Sequence, residues 1–374
     1  MKTLFVGDAS NMHNCLAQQL RRMGHEAIVA SNGSTWMNTE RDINLLRRPG
    51  KLGAVRYVLD ILKALPQMRG FDIVQLAGPI FLNLKPDKVR MVLDYLKRNN
   101  GHVVLSAIGT DRVYYDACHD GHTYRYSDYL LGDKPSPYVL SPEYQAQHQD
   151  NWAQDYMREH SDYVLNAIDG VAACLWEYYA AYKQVGVHRL VHTGLPIDVD
   201  SLTMRPLDAV PDKVRFFIGI QRDRTALKGT DRMHEALKRV CAQRPDECEM
   251  VVAESVPYAQ YVQMMRSSHV ILDQLYSYTP ATNALIAMAQ GLIAVSGAEP
   301  EYYELIGETE NQPIVNVNPL VEGDIEAKLN AIIDNKHRLP EWSIKSREFV
   351  LKHNSASIVA QRYLDLWNSI INDK

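Results

Sequence analysis

The sequence predicts an α/β protein built from two parallel-sheet domains in tandem. Three observations carry that prediction. Strand, helix and strand alternate from the first residues to about residue 108, a second alternating series begins at residue 214, and the chain of 374 residues has room for two domains of about 100 to 200 residues each.

Taken in order, Thr3-Leu4-Phe5-Val6 is a short β-rich run broken by Gly7-Asp8. Asn11 to Met23 then carries Leu16, Leu20 and Met23 at helical spacing until Gly24 stops it, and Ala27 to Ala30 reads as the next strand. A helix over 53–66, a strand over 72–77, a helix over 86–98 and a strand over 102–108 continue the pattern, with the unbroken apolar runs of buried parallel strands. After Asp111 the alternation lapses for about forty residues, an unusual length for a connection. It resumes with a helix over 151–166, a strand over 171–175, a helix over 176–184 and a strand over 189–193.

Gly194-Leu195-Pro196 and the Pro-containing stretch to Lys213 read as an interdomain linker. The second series has strands over 214–219, 249–253, 269–273, 292–296 and 313–317, with helices over 230–243, 257–267 and 281–290. The last helix, 355–371, is apolar on one face and has no sheet left to complete, so it is expected to pack back on the first domain. The expected domains are 1–200, joined by 355–374, and 213–345.

Composition narrows the function classes. With 46% hydrophobic and 23% charged residues, disorder and collagen-like repeats are excluded. A net charge of −5 offers polyanions no global attraction, so no nucleic-acid partner is expected. Five cysteines with no CxxC pair and no histidine at zinc-finger spacing fit a reducing compartment rather than a disulfide scaffold. The N-terminal apolar run is only Leu4 to Val6, and no run approaches the ~18 residues of a membrane span, so a soluble, cytoplasmic protein is expected.

In open parallel sheets, ligands gather beyond the carboxyl ends of the strands, where helix starts offer free N–H groups and partial positive charge. The first such turn, Gly7-Asp8-Ala9-Ser10-Asn11, is not GxGxxG, and no GxxxxGK[ST] occurs, so dinucleotide dehydrogenases and P-loop kinases lose their main support. The turn from Gly219 through Gln221, Arg222, Arg224, Lys228 and Gly229 to Thr230-Asp231 places three cations before a helix, the chemistry a diphosphate requires. A solvated basic loop, with Thr230 or Asp231 as a cap, is the structural alternative. A second turn runs from Asp273 to Leu285 and crowds Thr279, Pro280, Thr282 and Asn283 at a helix start, suited to phosphate or sugar hydroxyls or to simple capping.

These turns carry a resemblance. The strand Phe216-Phe217-Ile218-Gly219, then Lys228-Gly229, then Asn283-Ala284-Leu285-Ile286-Ala287-Met288-Ala289-Gln290-Gly291, then Glu301 to Gly307 resemble the C-terminal domain of group-1, family-4-like glycosyltransferases of GT-B fold. The motifs match over about 214–307, the architecture over the whole chain. The resemblance implies two Rossmann-like domains facing an interdomain cleft. It implies further that Lys228 and an arginine of its loop hold the donor diphosphate, and that 279–283 hold donor sugar and phosphate. Two departures stand out. Ile220 occupies the place of the family's arginine, so Arg222 or Arg224 substitutes, and the two family glutamates, which contact donor sugar and ribose, fall on Tyr278 and Ile286. The implied activity is transfer of a sugar from a nucleotide sugar to a glycan or lipid-linked acceptor, retaining and metal-independent, with no cofactor. A nucleotide-sugar epimerase of the same fold and a catalytically degenerate binding protein are the alternatives.

On the acceptor side the candidates are Asp8 and Asn11 in the first turn, Tyr114, and His119 or His122, with Asp111 as the carboxylate that orients an acceptor hydroxyl. Residues 111–150 hold seven of the 21 tyrosines, amphipathic rings suited to sugars or to a surface excursion packed on its own aromatics. Asp198-Val199-Asp200 matches DxD by letter but lies in the linker, and no metal site is expected there. Residues 41–70 carry seven Lys/Arg against Asp42 and Asp60. With Arg56, Asp60 and Lys63 read as one face and Val55, Leu59 and Leu62 as the opposite one, the segment is expected to be a core-facing helix with a solvated outer side. Peripheral contact with an anionic membrane is the alternative.

Overall fold

The computed structural model describes residues 1–34, 37–146, 151–205, 207 and 209–373. The chain forms two units: residues 1–116, 150–196 and 356–374 make the first, and 117–149 with 197–355 make the second.

The first unit runs β1 (Lys2–Val6), α1 (Met12–Arg22), β2 (Glu26–Ser31), β3 (Ile43–Asn44), α2 (Gly50–Ala64), β4 (Ile73–Ala77), α3 (Pro86–Asn99) and β5 (His102–Ala107), after which α4 (Arg112–His119) leads out of it. The excursion holds the hairpin β6 (Leu130–Leu131) and β7 (Lys134–Pro135) and the short α5 (Pro142–Ala146). The first unit then resumes with α6 (Asp155–Ala167), β8 (Gly170–Ala173), α7 (Trp176–Gln184) and β9 (Leu190–His192). Its strands pair in parallel in the order β3-β2-β1-β4-β5-β8-β9. Leu4, Phe5, Val6, Ile73, Val74 and Leu76 are all fully buried, which is why these strands read as unbroken apolar runs rather than alternating ones. The strand order reverses between β1 and β4, so the turns at their carboxyl ends are where this sheet would take a ligand.

The second unit continues with β10 (Val214–Ile220), α8 (Thr225–Lys228), α9 (Thr230–Gln243), β11 (Cys248–Glu254), α10 (Tyr258–Arg266), β12 (Val270–Leu272), α11 (Thr282–Ala289), β13 (Ile293–Ser296), α12 (Pro300–Ile306), β14 (Val315–Asn316), α13 (Asp324–Asp334) and α14 (Leu339–His353). Its sheet is also parallel, in the order β11-β10-β12-β13-β14. Phe216, Ile218, Leu272 and Val295 from the strands pack with Met233 and Leu237 of α9 and Leu329 and Ile332 of α13. Here the order reverses between β10 and β12, so the turns starting at Gln221 and Asp273 stand together at the switch point. Gly297, just past β13, has no room for a side chain, because a Cβ there would lie 1.7 Å from the Ser277 carbonyl oxygen. The second turn is thereby held against the exit of β13, and the Glu299 N–H donates to the Tyr278 carbonyl at 3.0 Å.

The last helix, α15 (Ala356–Ile371), lies in the first unit. Val359, Ala360, Tyr363 and Trp367 are fully buried against Phe5, Leu16, Leu20 and Val104. A polar chain runs beneath it in one direction. Trp367 Nε1 donates to Gln75 Oε1 (2.9 Å), Gln75 Nε2 to Ser106 Oγ (2.9 Å), and Ser106 Oγ and the Gly7 carbonyl each lie 2.8 Å from a ring nitrogen of His13. A neutral imidazole completes this chain, accepting from Ser106 and donating to Gly7. Burial lowers the His13 pKa, with Asp8 and the Gly7 carbonyl opposing.

Two sequence expectations are corrected here. The helix around 53–64 does not turn Val55, Leu59 and Leu62 to the core. It buries Tyr57, Ile61 and Ala64, and leaves Val55, Leu59 and Leu62 at 61%, 50% and 56% exposure. At 100° per residue Arg56 and Lys63 sit beside the 52–55–59–62 stripe rather than opposite it. Residues 117–149, expected in the first domain, belong to the second unit. Their aromatics find partners there: Tyr126 stacks on Tyr278 with centroids 4.8 Å apart, while Tyr138 and Tyr144 meet edge-on at 5.2 Å.

Candidate functional site

At the carboxyl end of β10 the chain passes through a turn at Arg222–Arg224, the single-turn α8 and Gly229, then enters α9. Gly229 adopts φ +68° and a Cβ there would meet Leu275 Cβ at 2.7 Å, so this backbone must be glycine to let the two switch-point turns approach. Of the three cations, Arg222 is largely exposed and held by Glu254 of β11 at 2.7 Å. Arg224 and Gln221 are exposed. Lys228 is half-buried, and its ammonium has no hydrogen-bond or ion-pair partner among the described residues. Burial lowers its pKa, Asp273 opposes that shift and Arg224 reinforces it.

Asp273 is buried, and its Oδ2 has no partner among the described residues. Its Oδ1 accepts from Asn283 Nδ2 at 3.3 Å, and Asn283 Oδ1 accepts from Tyr261 Oη at 2.7 Å. Asn283 is thus oriented by two elements at once. The N-cap position of α11, Ala281, supplies no side-chain cap to this helix, whose first turn contains Thr282 and Asn283, so among the described residues its leading N–H groups are available to an acceptor. Thr279 is buried just before that start. A lysine short of partners, a carboxylate oxygen short of partners and an uncapped helix start form one polar cluster of unmet bonding capacity.

Part of the anion-binding capacity is already used. Glu143 of α5 accepts from the Ala226 N–H (3.0 Å), the Leu227 N–H (3.2 Å) and Thr225 Oγ1 (3.4 Å), so a carboxylate of the excursion sits on the start of α8. A second contact of the excursion lies at Tyr278. The Arg125 N–H donates to Tyr278 Oη at 2.6 Å, its guanidinium stands 5.1 Å from that ring's centroid, and it pairs with Glu299 (2.7 Å) and Glu301. Glu299 is buried and also accepts from Tyr126 Oη (2.7 Å) and Asn316 Nδ2 (2.9 Å). Burial raises the Glu301 carboxyl, but the Arg125 hydrogen bond and charge outweigh it and hold the group below the usual range. Burial pushes the Tyr278 hydroxyl up to about 12, against the pull of Arg125.

In the first unit the sequence candidates are engaged with their own turns. Asp8 Oδ1 accepts from the His13 N–H (2.9 Å) and Oδ2 from Thr39 Oγ1 (3.3 Å). Asn11 has φ +63°, and its Oδ1 accepts from Asn14 Nδ2 at 2.8 Å. Asp111 is a buried helix cap: it accepts from the Tyr114 N–H (2.8 Å) and Tyr182 Oη (2.6 Å). Burial pushes its pKa up to about 6 against those hydrogen bonds. Tyr114 is buried edge-on to Tyr178 at 5.3 Å. His119 and His122 are exposed and lie in the second unit, not on the first-unit side where they were expected. His119 stands 5.0 Å from the Tyr129 ring, and His122 closes a turn on Asp120.

No protein-family model matches the chain, and no curated protein matches it. Solved structures do. A sucrose-phosphate synthase from Thermosynechococcus elongatus aligns at 12% identity over all of both chains, with a TM-score of 0.63. Anabaena HepE, in complex with UDP and glucose, aligns at 14% identity over 99% of this chain and 100% of its own, with a TM-score of 0.60. The UDP-GlcNAc 2-epimerase from Neisseria meningitidis, bound to UDP-GlcNAc, aligns at 12% identity over 99% and 100%, with a TM-score of 0.52. The chain has the GT-B fold.

In GT-B terms, the sequence located both switch-point turns of the second domain, with Lys228 and Asn283 on them, and missed Glu299, Arg125 and Glu143, which pack against those turns. Glu299 lies next to Tyr278, where the resembling family carries a glutamate, and its only local signal is an acidic residue ahead of Pro300 at a helix start. Arg125 and Glu143 lie 174 and 83 residues from Glu299 and Ala226 respectively, a separation no local pattern reports.

Proposed function

We propose that this GT-B protein binds a nucleotide sugar at the second-unit switch point and transfers the sugar to a glycan or lipid-linked acceptor, with retention and without a metal. The observation that carries the reading is Lys228, whose half-buried ammonium has no partner among the described residues, on the turn after β10 at the switch point with β12. Its ammonium neutralises a diphosphate, Arg224 adds a second charge, and the open N–H groups of α11 donate to the remaining oxygens. The same groups stabilise the negative charge that grows on the departing nucleoside diphosphate, which is the work a metal otherwise does. Buried Glu299, with Glu301 beside it, takes over the position next to the sugar that Tyr278 leaves without a carboxylate.

A second reading rests on Arg125. It neutralises both carboxylates, and Ile286 offers ribose no acceptor, which favours a protein of this fold that binds the nucleotide sugar without transferring it, or one that epimerises it. The test compares melting with UDP, GDP, ADP and their sugar nucleotides. A ligand specific to the folded state adds about 2.7 kcal/mol at a hundredfold excess over Kd. Stabilisation by one sugar nucleotide, followed by slow release of free sugar, supports transfer. Stabilisation with the sugar nucleotide left intact supports the binding protein, a changed epimer supports the epimerase, and no stabilisation by any of them rejects all three.

A further inference from the structure

Helix α2 presents to solvent the face that a helix of an α/β domain ordinarily buries. Leu52 is 88% exposed, and Val55, Val58, Leu59 and Leu62 lie between 44% and 61%. Leu52, Val55, Leu59 and Leu62 follow one another at three- and four-residue spacing, so they form a single stripe, with Val58 at its edge. The charges around it are mainly positive. Arg56 and Lys63 border the stripe, Lys51 stands at its N-terminal end after Arg47 and Arg48, and all five are exposed. The single acid of the helix, Asp60, lies 4.0 Å from Arg56. A local excess of positive charge thus accompanies the apolar stripe on a chain whose net charge is −5.

We infer that α2 is a docking face for an anionic phospholipid surface, with Leu52, Val55, Leu59 and Leu62 entering the boundary between headgroups and acyl chains and the lysines and arginines reaching the phosphates. Charge decides the occupant. A second copy of the chain placed on this face about a twofold axis would set like charge against like charge, whereas an anionic bilayer offers the opposite charge and an apolar layer beneath it. The stripe is convex, as a single helix must be, and a bilayer interface receives such a shape without a preformed groove. The inference is independent of what the second unit binds.

The experiment is co-sedimentation of the full chain with vesicles of phosphatidylcholine alone and of phosphatidylcholine with phosphatidylglycerol, at low and high salt, alongside its oligomeric state by light scattering. The wild type is expected to pellet with the anionic vesicles at low salt, to be released by high salt and to ignore the neutral ones. Replacing Lys51, Arg56 and Lys63 with Gln should weaken partitioning by up to about fivefold per charge. Leu59→Glu should abolish it while melting temperature and nucleotide response stay at wild-type values, since the residue is exposed. Absence of binding at low salt, equal binding to neutral vesicles, or binding unchanged in Leu59→Glu would each overturn the inference. A wild-type dimer that Leu59→Glu splits would also overturn it, in favour of a second copy.

Discussion

Two sheets of the same parallel construction end in switch points of opposite character. At the first, between β1 and β4, the polar groups are paired: Asp8 caps α1, and His13 closes a hydrogen-bond chain that starts at Trp367. At the second, between β10 and β12, Lys228 and Asp273 Oδ2 lack partners among the described residues and α11 has no side-chain cap. Buried polar groups left unpaired cost free energy, so a fold keeps them where a ligand or a rearrangement repays that cost. Topology nominates both turns equally. Hydrogen-bond accounting separates the turn whose polar groups are paired from the one with bonding capacity left over.

The largest effect that would sharpen this contrast is in the first unit. Trp367→Ala removes a fully buried ring and the first donor of the His13 chain, and should cost about 3 to 5 kcal/mol in denaturant melts. Nucleotide affinity of the surviving folded fraction should not change. A loss of affinity as large as the loss of stability would break the separation of the two switch points.

Acidification comes next. Burial, with Arg362 adding to it, pushes His192 of the first unit down to about 3. In the second unit His269 is pushed down to about 4 by burial, then by Arg205 and Arg215. Each is neutral in the native state, so below about pH 6.5 the unfolded chain binds a proton that the native chain does not, and stability falls as pH falls. Full stability is present above that pH. By about pH 5 each such histidine removes roughly 2 kcal/mol. Urea melts of His192→Gln and His269→Gln should both flatten the slope. A slope unchanged in either variant would remove that histidine from the account.

The smallest effect concerns Glu143. Glu143→Gln preserves an acceptor for the α8 N–H groups but removes the charge that competes with a phosphate. Nucleotide binding should tighten by about 0.3 to 1 kcal/mol, the scale of a charge at a helix terminus. Weaker binding in titration calorimetry would mean that Glu143 supports the site instead of opposing the anion.

The alternating strands and helices were legible because buried parallel strands print as apolar runs, and the switch-point turns at Lys228 and Asn283 followed from where those strands end. The face of α2 was misread, since its apolar residues cover more than half of the helix surface and the pattern alone does not say which arc meets the sheet. Helices α13 and α14 escaped because no strand follows them to mark an alternation. The aromatic density of 111–150 was visible, but not its destination. The pairings of Arg125 with Glu299 and Glu143 with Ala226 are made by tertiary packing across long separations.

The central claim is that the unmet capacity at the second switch point exists for a nucleotide diphosphate, and calorimetric titration of wild type and Lys228→Ala with UDP, GDP and ADP tests it most directly. The account predicts that one nucleotide binds the wild type and that the substitution weakens it by about 1.5 to 3 kcal/mol, the range for hydrogen bonds to charged groups, with the folded state intact because Lys228 makes no ion pair among the described residues. Equal affinity in a folded Lys228→Ala protein, or no binding of any nucleotide to the wild type, would contradict it.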